Sequence, residues 1–372
     1  MPVGIIVMRW DKRLGTKIEA IYPEEIEISE DTLMQIYSAH EYSGEAGVIS
    51  LLVGPLNLIS YYSGPDVGYY IVLLLNLDED ADAYEGGLSD ISRMILQNIE
   101  EKTFKTLLPS LFHRISVYPS LSEELRLAIA YEDQVKRMII ERLREEGVFT
   151  KSELVIWLKD KYRHGYVDIN ALIVDLIKID IIKESSVKGM PSELIFFIND
   201  LLISRRPPPN KLLKNSLELG LPENFANDYY IEVKNFFQNY RPSEEDNLKL
   251  INILMDPQVY ETLKLLRTSI CTKNEIEKLK KKGVEDVDGV LKILWENQIV
   301  HVFQSSKGIE YYALLSDFYI AKIFPKYILQ TIISEYDVKS KSDRVLIEYL
   351  NVLEDAYFEH KAQLKAKSKE ST

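Results

Sequence analysis

The sequence predicts an α+β multidomain chain: a five-stranded antiparallel sheet with helices, then two copies of a small helix-and-hairpin unit, then C-terminal helices. Three observations carry that expectation. Apolar runs in the first 110 residues are short, strand-like and separated by Gly/Pro turns. A capping sequence, a second helix start and a β-branched run recur together about 120 residues apart. A chain of 372 residues, 46% hydrophobic and 28% charged, is too long for one ordinary core and has the composition of folded proteins.

Residues 3–10, Val-Gly-Ile-Ile-Val-Met-Arg-Trp, are nearly continuous in apolar character and read as a central strand. The stretch from Asp11 to Gly15 turns the chain. Residues 16–22 then alternate, with Ile18, Ala20 and Tyr22 on one face, as a hairpin partner would. Ser29 caps a helix whose hydrophobic staple is Ile28 with Leu33 and whose buried stripe is Leu33, Ile36, Tyr37 and His40, with Gly44 just past its end. Three strands follow at 47–53, 56–62 and 67–77, split by Gly54-Pro55 and by Ser63-Gly64-Pro65-Asp66. A helix resumes near Leu88, with Ile91, Ile95 and Ile99 on the same face. The order is β-β-α-β-β-β-α, and residues 103–134 read as connecting helix and loop broken at Pro109 and Pro119.

The repeated unit comes next. Its first copy has a helix with Val135, Ile139 and Leu143 that stops at Gly147, and a second helix opened by Thr150-Lys-Ser-Glu153 and carrying Leu154, Leu158 and Tyr162. A third helix begins near Asp168, after Val167, with Ile169, Leu172, Ile173 and Leu176, and strands at 181–187 and 193–198 flank Lys188-Gly-Met-Pro191. The second copy repeats this with Thr272-Lys-Asn-Glu275-Ile276, Val284-Glu-Asp-Val-Asp-Gly-Val-Leu291 and Ile299-Val-His-Val302, with a turn at Ser305-Ser-Lys-Gly308. Helix, capped helix, helix and hairpin is the order of a winged helix-turn-helix. Between the copies, Arg205-Arg-Pro-Pro-Pro209 reads as a linker. Residues 211–240 read as helix with Tyr229, Tyr230, Phe236 and Phe237 on an aromatic face. A helix is expected at 316–334, kinked at Pro325. A final one after Ser342 carries Leu346, Tyr349, Leu350, Leu353 and Tyr357 and ends in a lysine-rich segment from Lys361. The expected domains are 1–110, 120–204, 205–243 (linker and helical segment), 244–317 and 318–372.

The β-β-α-β-β-β-α order, together with Ile59-Ser-Tyr-Tyr-Ser-Gly64, Leu73-Leu-Leu-Asn-Leu-Asp-Glu-Asp80 and Tyr84-Glu-Gly-Gly-Leu88, resembles a longin domain of archaeal type, within the longin/roadblock superfamily. A roadblock domain normally starts with a helix, which this chain lacks. The resemblance implies a protein-interaction platform that binds a Ras-like small GTPase or a second longin/roadblock subunit. Joined to winged helices, it is similar in outline to the longin–DENN regulators of Rag-type GTPases. No DENN signature is legible, so that analogy rests on fold alone.

Charge bears on the partner. The net charge is −13, and residues 1–110 hold 18 Asp/Glu against 7 Lys/Arg, so the acidity is concentrated there and would repel phosphates and anionic lipid. A winged helix that reads DNA puts its third helix in the major groove with Arg, Lys, Asn or Gln on base edges. Here residues 168–180 carry three Asp against Lys178, and residues 285–296 carry Glu285, Asp286, Asp288 and Glu296 against Lys292. Both are expected to serve assembly instead. The opposing feature is Lys278, Lys280, Lys281 and Lys282, which could touch a phosphate backbone in a DNA-binding transcription regulator. As a solvated helix end, the same lysines favour the C-terminal dipole.

No Walker or Rossmann glycine loop, HExxH, nucleophile elbow or paired cysteine motif occurs. Asp78, Asp80 and Asp82 start a calcium-loop spacing that fails at Ala83 and Ser89. No enzyme activity, metal or cofactor is therefore expected. Cys271 is the one cysteine, which fits a reducing compartment. The longest apolar stretch, 48–62, is interrupted by Gly54-Pro55 and Asn57, and the N-terminus lacks a signal-peptide layout. A cytoplasmic protein without membrane insertion is expected, with recruitment through a partner open. Arg9 and Arg13 lie at the first hairpin, where some GTPase regulators of longin type present an arginine finger; the bland alternative pairs Arg9 with a carboxylate and leaves Arg13 in solvent. Of the tyrosines at 61, 62, 69 and 70, alternation sends one of each pair outward, and Tyr61 and Tyr69 are the candidate partner contacts.

Overall fold

The first hairpin forms because two apolar strands flank a short polar turn. Strand β1 (Gly4–Asp11) pairs antiparallel with β2 (Gly15–Tyr22), Ile6 opposite Ile21. The structure, a computed structural model, describes residues 2–11, 13, 15–43, 46–99, 103–162 and 169–370, with side chains described as far as 362 and without that of 43. Val167, Asp168 and Gly44 of the expectations lie outside the described residues.

Helix α1 (Glu30–Ser43) opens at Ser29, whose Oγ accepts from the Thr32 amide at 3.2 Å. Strands β3 (Gly47–Val53), β4 (Leu56–Tyr62) and β5 (Tyr69–Leu75) complete an antiparallel sheet ordered β2-β1-β5-β4-β3. Helices α2 (Glu85–Gln97) and α3 (Phe104–Ser116) pack on one face, where Ile5, Val7, Ile59, Tyr61, Ile71 and Leu73 meet Leu88, Ile91, Ile95 and Leu108. Helix α1 covers the other face, with Leu33 and Ile36 against Ile6, Met8, Leu58, Tyr70 and Val72. A sheet covered on both faces needs apolar residues at successive positions, which explains the continuous runs in β1 and β5 despite antiparallel pairing.

Two expectations fail in this part of the chain. Helix α3 runs through Pro109 instead of breaking there, because Leu108, Leu111 and Ile115 anchor it to the core and packing outweighs one lost backbone bond. Tyr61 and Tyr69, the tyrosines expected outward, lie on the face that α2 and α3 cover, Tyr61 buried and Tyr69 half-buried, while α1 covers the opposite face. Tyr62 and Tyr70 are buried there and stacked, with centroids 4.5 Å apart.

Along the chain follow α4 (Glu123–Glu132), α5 (Gln134–Glu146), β6 (Val148–Thr150), α6 (Lys151–Lys161), α7 (Ile169–Lys178), β7 (Ile182–Ser185), β8 (Leu194–Phe197) and β9 (Asp200–Arg206). After them come α8 (Asn210–Lys214), α9 (Ala226–Asn239), α10 (Glu244–Leu254), α11 (Pro257–Leu266), β10 (Cys271–Thr272) and α12 (Lys273–Ile276). The last elements are α13 (Val287–Glu296), β11 (Val300–Gln304), β12 (Glu310–Leu314), β13 (Asp317–Ile323), α14 (Ile328–Val338) and α15 (Asp343–Glu370). Both copies of the repeat contain a two- or three-residue strand that ends on the capping threonine, Thr150 or Thr272. It builds two like-ordered sheets, β6-β8-β7 and β10-β12-β11. The capping box is formed in both: the Glu153 carboxylate accepts from the Thr150 amide at 2.7 Å, and Glu275 accepts from Thr272 at 2.7 Å.

The stretch expected as a helix at 316–334 is instead a strand and then a helix. Strand β13 pairs antiparallel with β9, from Asp317 opposite Arg206 to Ile323 opposite Asp200. Arg205 and Arg206 thus end a strand, and the prolines after them terminate it. The segment 211–240 is also divided, into α8, a 3-10 turn at Glu223–Phe225 and α9. By contacts the chain falls into two compact units, Met1–Leu121 with Val148–Ile195, and Ser122–Gly147 with Phe196–Thr372.

Candidate interaction surfaces

In the first unit, α7 is the third helix of the first repeat, and its apolar stripe of Leu172, Ile173 and Leu176 is buried. Asp175 lies on this helix and is itself buried. Its carboxylate is 3.5 Å from the guanidinium of Arg93 on α2, which also pairs with Asp90 one turn earlier. At the end of the helix, Lys178 pairs with Glu85. A buried arginine between two carboxylates offsets part of the desolvation that burial imposes on each. The acid that sequence reading counted against a phosphate-facing role is therefore an internal contact. Tight packing at the start of α2 comes from its glycine pair, since a Cβ on Gly87 would stand 2.7 Å from Tyr118 Cγ.

The first hairpin holds Arg9 and Arg13. Arg9 Nε lies 2.7 Å from Glu19 Oε1 across the strands, and Lys17 Nζ reaches the same oxygen at 2.9 Å. The hydrogen bond from Lys17 lowers the Glu19 pKa, desolvation opposes it, and the charges of Arg9 and Lys17 lower it further. Arg9 is thus committed to a carboxylate. Arg13 sits in the exposed turn, where its backbone amide donates to Asp11 Oδ1 at 2.8 Å. Tyr61 is completely buried under α2 and α3 and offers no surface to a partner. Tyr69 is half-buried against the same cluster, and its amide donates to Ser63 Oγ at 2.8 Å. The accessible parts of this module are instead its edge strands β2 and β3, where Ile18 and Leu52 are exposed.

In the second unit, Lys278, Lys280, Lys281 and Lys282 lie on or beside a 3-10 turn, Glu277–Lys282, and all four are exposed. Helix α13 buries Val287, Val290, Leu291 and Leu294, leaving Asp288, Lys292, Trp295 and Glu296 outside. Lys273 neutralises Asp288 at 2.5 Å. Trp295 and Glu296 line an open cavity of about 580 Å³ with Glu232, Phe236 and His301. Burial lowers the His301 pKa, with Glu232 pulling the other way. Sequence reading overlooked Trp295, although its place opposite the apolar stripe of α13 was available as a signal. It also overlooked Arg93, whose i, i+3 pairing with Asp90 was legible.

The strand ends of the second unit are tied by arginines. Arg267 donates to both oxygens of Glu124 at 2.8 Å and to Asp317 Oδ1 at 2.8 Å, and Arg206 donates to Asp317 Oδ2 at 2.7 Å. Arg205 grips Asp246 through two bonds of 2.8 Å, which lowers that carboxyl's pKa. These paired groups hold strands to helices. Asp80 accepts from the Asp82 amide at 3.1 Å as a cap, and the buried Cys271 thiol has its pKa raised by desolvation. Among the described residues, no group of three or more His, Cys, Asp or Glu is placed to hold a metal ion. None of the described helices is long and apolar enough to cross a membrane.

No known protein-family model matches this chain, and no curated protein matches it.

Proposed function

We propose that this protein is a non-enzymatic interaction scaffold. Its N-terminal module is a longin domain that binds a Ras-like small GTPase or a longin/roadblock partner, and its two repeats are winged helices used for assembly. The observation that carries this reading is the buried Asp90–Arg93–Asp175 cluster, which engages the third helix of the first repeat inside the protein. A helix so engaged is not available to a DNA groove. The longin assignment is supported by the strand order β2-β1-β5-β4-β3 with one helix on one face and two on the other. Capture of small GTPases by the full chain, in both nucleotide states, tests it. Binding to one state, lost when the β2 edge is blocked by Ile18→Pro, is the expected result; no capture in either state would defeat it.

A second reading, a DNA-binding transcription regulator, is favoured by the exposure of Lys278 and Lys280–Lys282. A sequence-selective duplex complex at physiological salt, abolished by changing residues 280–282 to Glu, would put this reading first. A GTPase-activating role would rest on Arg13, because Arg9 is paired with Glu19. Unchanged hydrolysis by a bound GTPase after Arg13→Ala removes that role.

A further inference from the structure

The third helices of the two repeats end alike, residue for residue, in different surroundings. In the first copy the amides of Ile179, Asp180 and Ile181 donate to the carbonyls of Asp175, Ile177 and Leu176 at 3.2, 2.9 and 2.9 Å. In the second, Asn297, Gln298 and Ile299 donate to Ile293, Trp295 and Leu294 at the same three distances. Asp180 and Gln298 also share a left-handed backbone, with φ of 56° and 55°. This register makes Trp295 the counterpart of Ile177, and Glu296 the counterpart of Lys178. The first copy covers its helix end from within its own unit: Lys178 pairs with Glu85 and Asp175 with Arg93, both partners on α2. The second copy reverses the charge and leaves the place open. Trp295 is 59% exposed, and with Glu296 it lines the cavity of about 580 Å³ that Glu232 and Phe236 of α9 also line.

We propose that this cavity receives an arginine side chain from a basic segment of a partner protein. Its lining has two carboxylates and no lysine or arginine, and burial keeps His301 neutral at pH 7. Lys292 stands 3.9 Å from Glu296, but both are exposed, so that pair is weak and easily exchanged. The guanidinium of Arg205 lies 5.7 Å from the Phe236 ring centre and is committed to Asp246. Trp295 is therefore the open ring of the cavity. Where Lys178 of the first copy takes a carboxylate, the matching charge for Glu296 is a cation. A guanidinium combines what the lining offers, since it stacks on an indole and donates to carboxylates from one planar fork. An ammonium gains less from the ring, and an anion is repelled. The site lies in the second unit and goes beyond the scaffold reading, whose GTPase contact is placed on β2 of the first.

Titration calorimetry of the full chain with a blocked glycine pentapeptide carrying two arginines tests this, against the same peptide with citrulline, lysine or glutamate instead. The arginine peptide should bind with a Kd of about 1 mM or below, at least about 10-fold tighter than its citrulline form. E232Q with E296Q, and separately W295A, should each weaken it at least about 5-fold, whereas W295F should keep most of the binding. E296K, which matches the charge of Lys178, should abolish it. Circular dichroism checks that each variant keeps its helices. No binding at about 1 mM, equal binding of any comparison peptide, or an affinity indifferent to both E296K and W295A would each overturn the proposal. GTPase capture is read on the other unit, so failure of either idea is seen apart from the other.

Discussion

Arg93→Ala is the sharpest perturbation of the first unit. Asp90, Arg93 and Asp175 are all buried, and the guanidinium is the shared cation of both carboxylates. Its removal takes from two buried acids the cation they share, and breaking a buried ion pair in this way costs about 3–5 kcal/mol. With a urea slope of about 2 kcal/mol/M, the midpoint of the first unit should fall by about 2 M. Because the chain has two units, the transition is best followed by amide exchange in α2 and α7, which open with this contact. The neutral triple variant D90N/R93M/D175N leaves no charge to desolvate and should recover most of the loss. An Arg93→Ala variant within about 0.5 kcal/mol of the parent, the range of ordinary surface substitutions, would refute the role given to this cluster. So would a triple variant no more stable than the single one.

Two further outcomes follow from groups elsewhere in the fold. His40 is buried, and its Nε2 is 2.9 Å from Ser60 Oγ; desolvation pushes its pKa down to about 4 from 6.5. The folded state binds fewer protons than the unfolded one in that window, so the contribution is full above pH 6.5 and is lost as pH falls towards about 4. At 1.36 kcal/mol per unit this amounts to at most about 3 kcal/mol, and His40→Gln should flatten the urea midpoint against pH; parallel profiles for the two proteins would exclude it. Gly220 has φ +112° and faces the Ile270 carbonyl oxygen, which a Cβ would approach to 2.5 Å. Gly220→Ala should therefore lower stability of the second unit by about 1–3 kcal/mol, read as a drop in melting temperature, and an unchanged melt would contradict the strained geometry.

Much of the fold was legible locally. The strands of the sheet announce themselves as apolar runs between Gly/Pro turns, and Ser29, Thr150 and Thr272 mark helix starts through short-range hydrogen bonds. What escaped was non-local or very short. Strand β13 alternates weakly and pairs with β9 more than a hundred residues upstream, so its apolar content reads equally well as helix. Strands β6 and β10 are too short for any period to register. Pro109 shows packing overriding a local breaker. For the candidate surfaces, the exposure of Arg13 and of the lysine run was readable, whereas the burial of Tyr61 depended on which face the helices cover.

By itself the sequence determined the positions of most elements, the repeat and the sign of its charge, because caps, turns and periodicity act over a few residues. Only the tertiary structure decided which charges face water. Asp175 counts as one acid among three in sequence but sits against Arg93 in the folded chain, since desolvation and pairing depend on segments far apart along the backbone. The same holds for α15: of the stripe expected from sequence, Leu346, Tyr349 and Leu353 are buried against the body, whereas Leu350 and Tyr357 are exposed.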